Sequence, residues 1–340
     1  MKRIYNYLKK DAVLTISWVL AIISMLFIKQ DKAYAGYIDW RSLGILWSLM
    51  IITKGYMQNG IFEKIGHALL ARTRKMWQLI AVLVGLNFFS SMIITNDVSL
   101  ITFVPFAIMM LKQCGRQELM IPVVVLQTIA ANLGSMLTPI GNPQNLYLYG
   151  LAGTGIGEFI MWLLPYTIAS ALLLVISILL IKNKNEIICI EDTDSEAAHN
   201  TSVPRVMAYS VLFVLALLVV ARVLTWYILA AAVLITVLLL EKNVLAKADY
   251  ALLLTFIGFF IFTGNMGRVE PVAHFLAGIV NSRELEVGII TSQCISNVPA
   301  ALLLSGFTDN IKNLNRGEHR RSRYAYSVNG EPHIVQAVCQ

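Results

Sequence analysis

Apolar runs separated by short polar or basic turns fill most of the chain, at residues 12–28, 40–57, 76–94, 98–111, 120–137, 158–181, 206–220 and 226–240. Helices of about 20 apolar residues cross a hydrocarbon core of about 30 Å, so the pattern predicts an all-α polytopic membrane protein. One run breaks the pattern. Residues 88–106, FFSSMIITNDVSLITFVPF, place Thr95, Asn96 and Asp97 between two apolar arms. An aspartate near the middle of a bilayer costs roughly 2.5–3.5 kcal/mol, which calls for a partner or a function. The arm before it, 76–94, is of spanning length, whereas the apolar arm after it, 98–111, has fourteen residues before Lys112, Gln113 and Arg116. Unequal arms predict a re-entrant hairpin over residues 76–112.

Composition agrees. Over 340 residues the chain is 57% hydrophobic and 14% charged, with a mean hydropathy of +0.68, which excludes a soluble domain of this size. The formal charge of +7 is spread through short loops rather than along one face, so it points to membrane topology and away from nucleic acid. Cys114, Cys189, Cys294 and Cys339 have neither CxxC nor Cys/His ligand spacing, and no metal site is expected. Glu63 and His67, four residues apart on one helix, read as a solvated edge. The segment 150–157, GLAGTGIG, lacks the Lys-Ser/Thr of a phosphate loop and follows no strand.

Lys2, Arg3, Lys9 and Lys10 precede the first apolar run and place the N-terminus in the cytoplasm; the run is too long for a signal peptide and reads as a retained helix. Residues 61–70 read as a short interfacial helix. After the hairpin, the run 120–137 meets Thr138, Pro139, Ile140, Gly141, Asn142 and Pro143, which interrupt a helix at membrane depth. Irregular backbone survives there only where protein or a water-filled cavity satisfies it, so the break points to a site. Residues 183–205, acidic and polar, read as a cytoplasmic linker in which His199 is solvated.

A repeat then emerges. Asp249, Tyr250 and Thr263 stand at the same mutual offsets as Asp39, Trp40 and Thr53, and Ser296, Asn297 and Val298 echo Thr95, Asn96 and Asp97. Loop charges start the two copies on opposite sides, which predicts inverted repeats. The segments expected are an N-terminal transmembrane helix at 1–34, a first repeat at 35–182, the linker at 183–205, a second repeat at 206–307 with hairpin 286–307, and a polar tail at 308–340. Half-helix N-termini meeting at the two tips could hold an anion. Carbonyls of the broken segment, with oxygens of Asn96, Asp97 and Asn145, could hold Na⁺, and Asp97 serves either as cation ligand or as proton carrier. No paired catalytic groups stand out, so no catalytic residue and no enzyme are expected.

These motifs, over residues 35–307, resemble the ion-transporter superfamily that includes divalent-anion/sodium symporters, citrate-transporter-like permeases and arsenite permeases. Symporters of that family carry Ser-Asn-Thr at each hairpin tip; Thr95, Asn96 and Asp97 match the first loosely, and Ser296, Asn297 and Val298 the second. Residues 131–145, ANLGSMLTPIGNPQN, resemble the glycine-rich loop that completes a cation site. The resemblance implies movement of a small anion coupled to Na⁺ or H⁺ through an elevator-like shift in the plasma (inner) membrane, without a further cofactor. It places Thr95, Asn96, Ser296 and Asn297 near substrate, and Thr95, Asp97, Gly141, Asn142 and Asn145 near the cation. A homodimer follows from the resemblance alone.

The departures carry expectations too. Val298 stands where the second threonine would meet a carboxylate, which argues against a di- or tricarboxylate, and the Asn-Asp pair at the first tip lies closer to arsenite permeases. The partner of segment 131–145 should begin near residue 332, but residues 308–340 are charged and hold no span-length apolar run. Truncation or a frameshift after about Phe307 is therefore expected. The competing readings are an intramembrane enzyme and a passive anion channel.

Overall fold

A computed structural model describes residues 12–28, 31–32, 34–70, 73–181, 202–282, 284–295 and 297–306. The basic N-terminus, His199 and nearly all of the 183–205 linker, Ser296 and the 308–340 tail lie outside the described residues, as do the side chains of Glu63 and His67. In chain order the helices are α1 (Ala12–Phe27), α2 (Tyr34–Tyr37), α3 (Trp40–Gln58), α4 (Ile61–Leu70), α5 (Met76–Ile94) and α6 (Asn96–Gln113). A 3₁₀ turn at Gln117–Leu119 leads into α7 (Met120–Ser135), then α8 (Pro143–Ala152), α9 (Ile156–Leu179), α10 (Val203–Val220) and α11 (Trp226–Leu240). A second 3₁₀ segment, Lys242–Lys247, precedes α12 (Tyr250–Met266), α13 (Glu270–Ser282), α14 (Glu284–Ile295) and α15 (Asn297–Ser305).

Among the described residues four segments are long and apolar enough to cross a membrane: Met76–Ile94, Gln117–Ser135, Ile156–Leu179 and Val203–Val220. Shorter apolar helices at Ala12–Phe27, Trp226–Leu240 and Tyr250–Met266 accompany them. The most apolar window of Ile156–Leu179 is only 28% buried, and Met161, Ile168, Leu172, Leu173 and Ile176 stand exposed along it. Such a surface is compatible with lipid and not with water, so the protein is an all-α, multi-pass membrane protein.

Two compact units interleave along the sequence. One gathers Met1–Trp47, Gln144–Thr154 and Ala248–Gln340; the other gathers Ser48–Pro143 and Gly155–Lys247.

In the second unit α5, α6 and α7 pack as a three-helix core. Leu79, Ile80, Leu83 and Val84 of α5 meet Ala107, Met110 and Leu111 of α6 and Val123 and Ala130 of α7, and Leu174 and Ile178 bring α9 onto the same core. Phe62 of α4 packs with Leu86, Val98 and Phe103 of the hairpin arms. Beside them Tyr56 of α3 donates to Ser210 of α10 at 3.1 Å. Glu241, at the end of α11, accepts from Arg205 at 2.8 Å and from Tyr209 at 3.0 Å.

In the first unit Asn265 of α12 donates to Ser24 of α1 at 2.9 Å. Gly258 lets the two helices close, since a Cβ there would stand 2.8 Å from the Ser17 hydroxyl oxygen. Arg268 pairs with Asp31 at 2.9 Å and donates to the Tyr37 hydroxyl at 2.9 Å. The Asp31 bond is the larger cause, with Tyr37 behind it, that raises the affinity of the guanidinium for its proton.

The two segments expected to repeat share local features. Asp249 accepts from the Leu252 backbone N–H at 3.1 Å and caps α12; Asp39 accepts from the Ser42 backbone N–H at 3.0 Å, and from its hydroxyl, at the head of α3. Each capped helix is followed by a shorter one and then by a broken pair: α3, α4, α5–α6 in one copy and α12, α13, α14–α15 in the other.

Three details differ from expectation. The return arm α6 has 18 residues, because Asn96 and Asp97 enter its first turn and Lys112 and Gln113 its last; at about 1.5 Å per residue it approaches spanning length. Helix α7 ends at Ser135, so the break opens earlier than Thr138. The short helices α2 and α13 have no counterpart in the hydrophobic pattern.

Candidate functional site

The hairpin turns on a single residue. Thr95 ends α5 and precedes α6 with φ 74° and ψ 149°, a conformation that is ordinarily left to glycine. Thr95 makes no side-chain cap hydrogen bond, because its backbone is not in the extended region that aims a cap oxygen at the helix N–H groups. The role passes to another segment. The N–H of Asn96 donates to the Gly141 carbonyl at 3.1 Å, so the break that follows α7 satisfies a donor at the head of α6.

The break is itself tied down. Thr138 donates its hydroxyl to the Met92 carbonyl, and Asn142 donates its side-chain amide to the Ser135 hydroxyl at 3.2 Å. Glycine is required twice. A Cβ on Gly141 would fall on the Ser135 carbonyl oxygen, and a Cβ on Gly134 would fall on the Phe88 carbonyl oxygen, so the chain folds back on α7 and α7 lies against α5 only without those methyl groups. Pro143 opens α8 where an N–H would lack an intrahelical partner.

Two asparagines define the polar floor of this junction. Asn132 donates to the Thr128 carbonyl at 2.9 Å, which leaves its Oδ1 to accept from the Asn96 amide at 3.1 Å. That order leaves Asn96 Oδ1 pointing elsewhere. It is buried and has no hydrogen-bond partner among the described residues, an expensive condition for an amide oxygen. Asp97 is exposed in the first turn of α6, where the helix dipole favours its charge. Thr95, Asn96, Asp97, Gly141 and Asn142 are thus brought to one junction of the second unit, and Asn142 is 3% exposed.

Asn145, fully buried in the first turns of α8, groups with the first unit. Asn297 heads α15 in that same unit, half-buried, and Ser296 lies outside the described residues. In this unit the Tyr147 hydroxyl of α8 and the Ser305 hydroxyl of α15 share a hydrogen bond of 2.9 Å, and the Tyr147 ring lies 5.4 Å from that of Phe260 on α12.

A second polar cluster, inside the α5–α7 core, escaped the sequence reading. Ser99 of α6 donates to Asn87 Oδ1 at 3.0 Å and lies 2.7 Å from the Ser90 hydroxyl, both on α5. Gln127 of α7 reaches the carbonyls of Leu83 at 3.2 Å and Phe103 at 3.3 Å, one on each arm. All four of these bonds cross between helices, so the hairpin and α7 are held in one arrangement. Lone Asn and Gln residues inside spanning apolar runs were the available signal. Among the described residues no group of three His, Cys, Asp or Glu side chains is disposed to hold a metal ion. Cys114, between α6 and the 3₁₀ turn, is a free thiol whose pKa burial pushes up.

Comparison with known proteins gives this architecture relatives. A family model described as Citrate transporter matches residues 8–315. An uncharacterised transporter of Methanocaldococcus jannaschii is 31% identical over 270 residues, 79% of this chain and 72% of the relative. Inner membrane protein YbiR of Escherichia coli is 29% identical over 293 residues, 81% of this chain and 73% of its own. A silicon efflux transporter of Oryza sativa subsp. japonica is 30% identical over 152 residues, 44% of this chain and 30% of its own.

Proposed function

Because this chain belongs to the citrate transporter family, we propose that it is a secondary active transporter, not an enzyme, which moves a small anion across the plasma membrane coupled to Na⁺ or H⁺. Its N-terminus is cytoplasmic in this reading, and the two copies of the repeat are inverted. The single observation that carries the proposal is the junction of a hairpin tip with a helix break, where Asn96 Oδ1 is buried without a partner among the described residues.

An unpartnered carbonyl oxygen beside irregular backbone is a fitting donor for an alkali cation, and half-helix N-termini suit an anion. In this scheme Asn96 Oδ1, the carboxylate of Asp97 and backbone oxygens around Thr95, Gly141 and Asn142 serve the cation. Asn96 and Thr95 serve an anion at the first tip, and the family resemblance assigns the same part to Ser296 and Asn297 of the second motif. The rigid α5–α7 core supports the reading, because an elevator-like shift needs its hairpin to travel as one body. The substrate class is a carboxylate, a sulfate-like ion or an arsenite-type oxyanion. Val298 at the second tip disfavours large carboxylates.

The test is solute uptake into sealed vesicles holding the purified chain, with Na⁺ and H⁺ gradients imposed singly. Uptake that rises with one gradient and collapses when it is dissipated supports symport. Flux of the solute indifferent to both gradients would replace the proposal by a passive channel.

A further inference from the structure

Away from that junction, a cavity of about 770 Å³ opens in the second unit between α4, α5 and the start of α10. Its volume is that of a ligand site, roughly 300–1,000 Å³. Tyr56, Phe62, Val82, Leu86, Phe103 and Phe213 are among its walls. The three hydroxyls that line it are engaged, Ser90 with Ser99 at 2.7 Å and Tyr56 with Ser210 at 3.1 Å. Nothing in it is disposed to receive a charged solute.

Its mouth faces lipid. Phe89 and Ile93, also lining residues, are 65% and 50% exposed on α5, a helix of spanning length and hydropathy. At its α4 end the charge changes sharply: residues 61–75 carry Lys64, Arg72, Arg74 and Lys75 against the single acid Glu63, and Lys64, Arg74 and Lys75 are exposed. Apolar walls opening onto hydrocarbon, with a cationic rim, have the chemistry of an acyl chain and an anionic headgroup.

We propose that this cavity is a binding site for an anionic phospholipid of the surrounding bilayer. One acyl chain lies against Phe62, Val82, Leu86 and Phe103, and the phosphate is held by Lys64, Arg74 and Lys75. The bound chain fills the space between the first hairpin arm and α10, so it braces the arm that carries Thr95.

Gly85 lines the cavity, and a Cβ built there meets nothing within 4 Å, so Gly85→Phe is set to occupy the volume of the acyl chain. The full chain is reconstituted with phosphatidylglycerol bearing a photoreactive acyl chain, or with phosphatidylcholine bearing the same chain, and the labelled peptides are mapped. Labelling by phosphatidylglycerol should concentrate severalfold on peptides covering 56–65 and 82–94, relative to α9, whose Leu172 and Ile176 are also exposed. Gly85→Phe should lower it about tenfold at those peptides alone, and Lys64→Glu should remove the excess over phosphatidylcholine. Equal labelling of the cavity peptides and α9 in the wild-type chain overturns the site, whether or not Gly85→Phe folds. Equal labelling by the two lipids overturns the anionic headgroup.

Discussion

Asn132 Oδ1 accepts the amide of Asn96 at 3.1 Å while its own amide is committed to Thr128, so α7 sets the direction in which the hairpin-tip asparagine presents its oxygen. Replacing Asn132 by Leu removes that constraint without touching the tip. One neutral hydrogen bond is worth about 1 kcal/mol, so the half-saturation for the coupling ion should rise about fivefold. Ion titration of vesicle uptake reads this directly, and an unchanged value would detach Asn132 from the site.

Asp97 occupies a position that a helix N-terminus favours for any carboxylate, so cap and ligand must be separated by function. Asp97→Asn keeps the shape and removes the charge. Cation-dependent uptake, or stabilisation of the purified chain by the cation, should be abolished, with a loss of intrinsic stability under about 1 kcal/mol. Cation dependence that persists in Asp97→Asn would make Asp97 a cap alone.

Glycines in this protein divide by what a methyl group would meet. Gly134→Ala drives a Cβ into the Phe88 carbonyl and Gly141→Ala into that of Ser135, and each should lower stability by about 1–3 kcal/mol. Gly85→Ala, which adds its methyl to open space inside α5, should be neutral or stabilise by up to about 1 kcal/mol. Thermal unfolding in detergent ranks the three; a loss in Gly85→Ala equal to the others would contradict the open space beside Gly85.

The sequence-level correspondence of Asp39 and Asp249 becomes, in three dimensions, a pair of caps with the same three-residue reach. Asp39→Ala and Asp249→Ala should each cost about 1 kcal/mol, and serine at either position should recover most of it. Thermal unfolding of the four variants checks the equivalence.

Legibility in the sequence followed the expense of each residue in its surroundings. Asp97 amid apolar neighbours, and two prolines with Gly141 at the end of an apolar run, are costly enough to mark the hairpin tip and the helix break by themselves. Paired polar groups are quieter. Asn87 and Ser99 are tolerated in the core because they pair across helices, and Gln127 because its amide donates to a backbone carbonyl on each hairpin arm; those bonds exist only after the helices meet. The backbone of Thr95 was beyond reach for a different reason: nothing in a threonine announces a positive φ, which the surrounding packing imposes. The division into units was equally hidden, since it depends on contacts between distant segments such as Tyr147 with Ser305 and Ser24 with Asn265.

That last contact sets an order of events at the ribosome. Ser24 leaves the exit tunnel long before Asn265, from which 241 residues separate it, so α1 enters the bilayer as an early helix whose partner has not been made. The hairpin, the break and α7 are local in sequence and can be completed during synthesis, whereas the first unit closes only when α12 arrives. The first unit is therefore closed by a helix made long after α1.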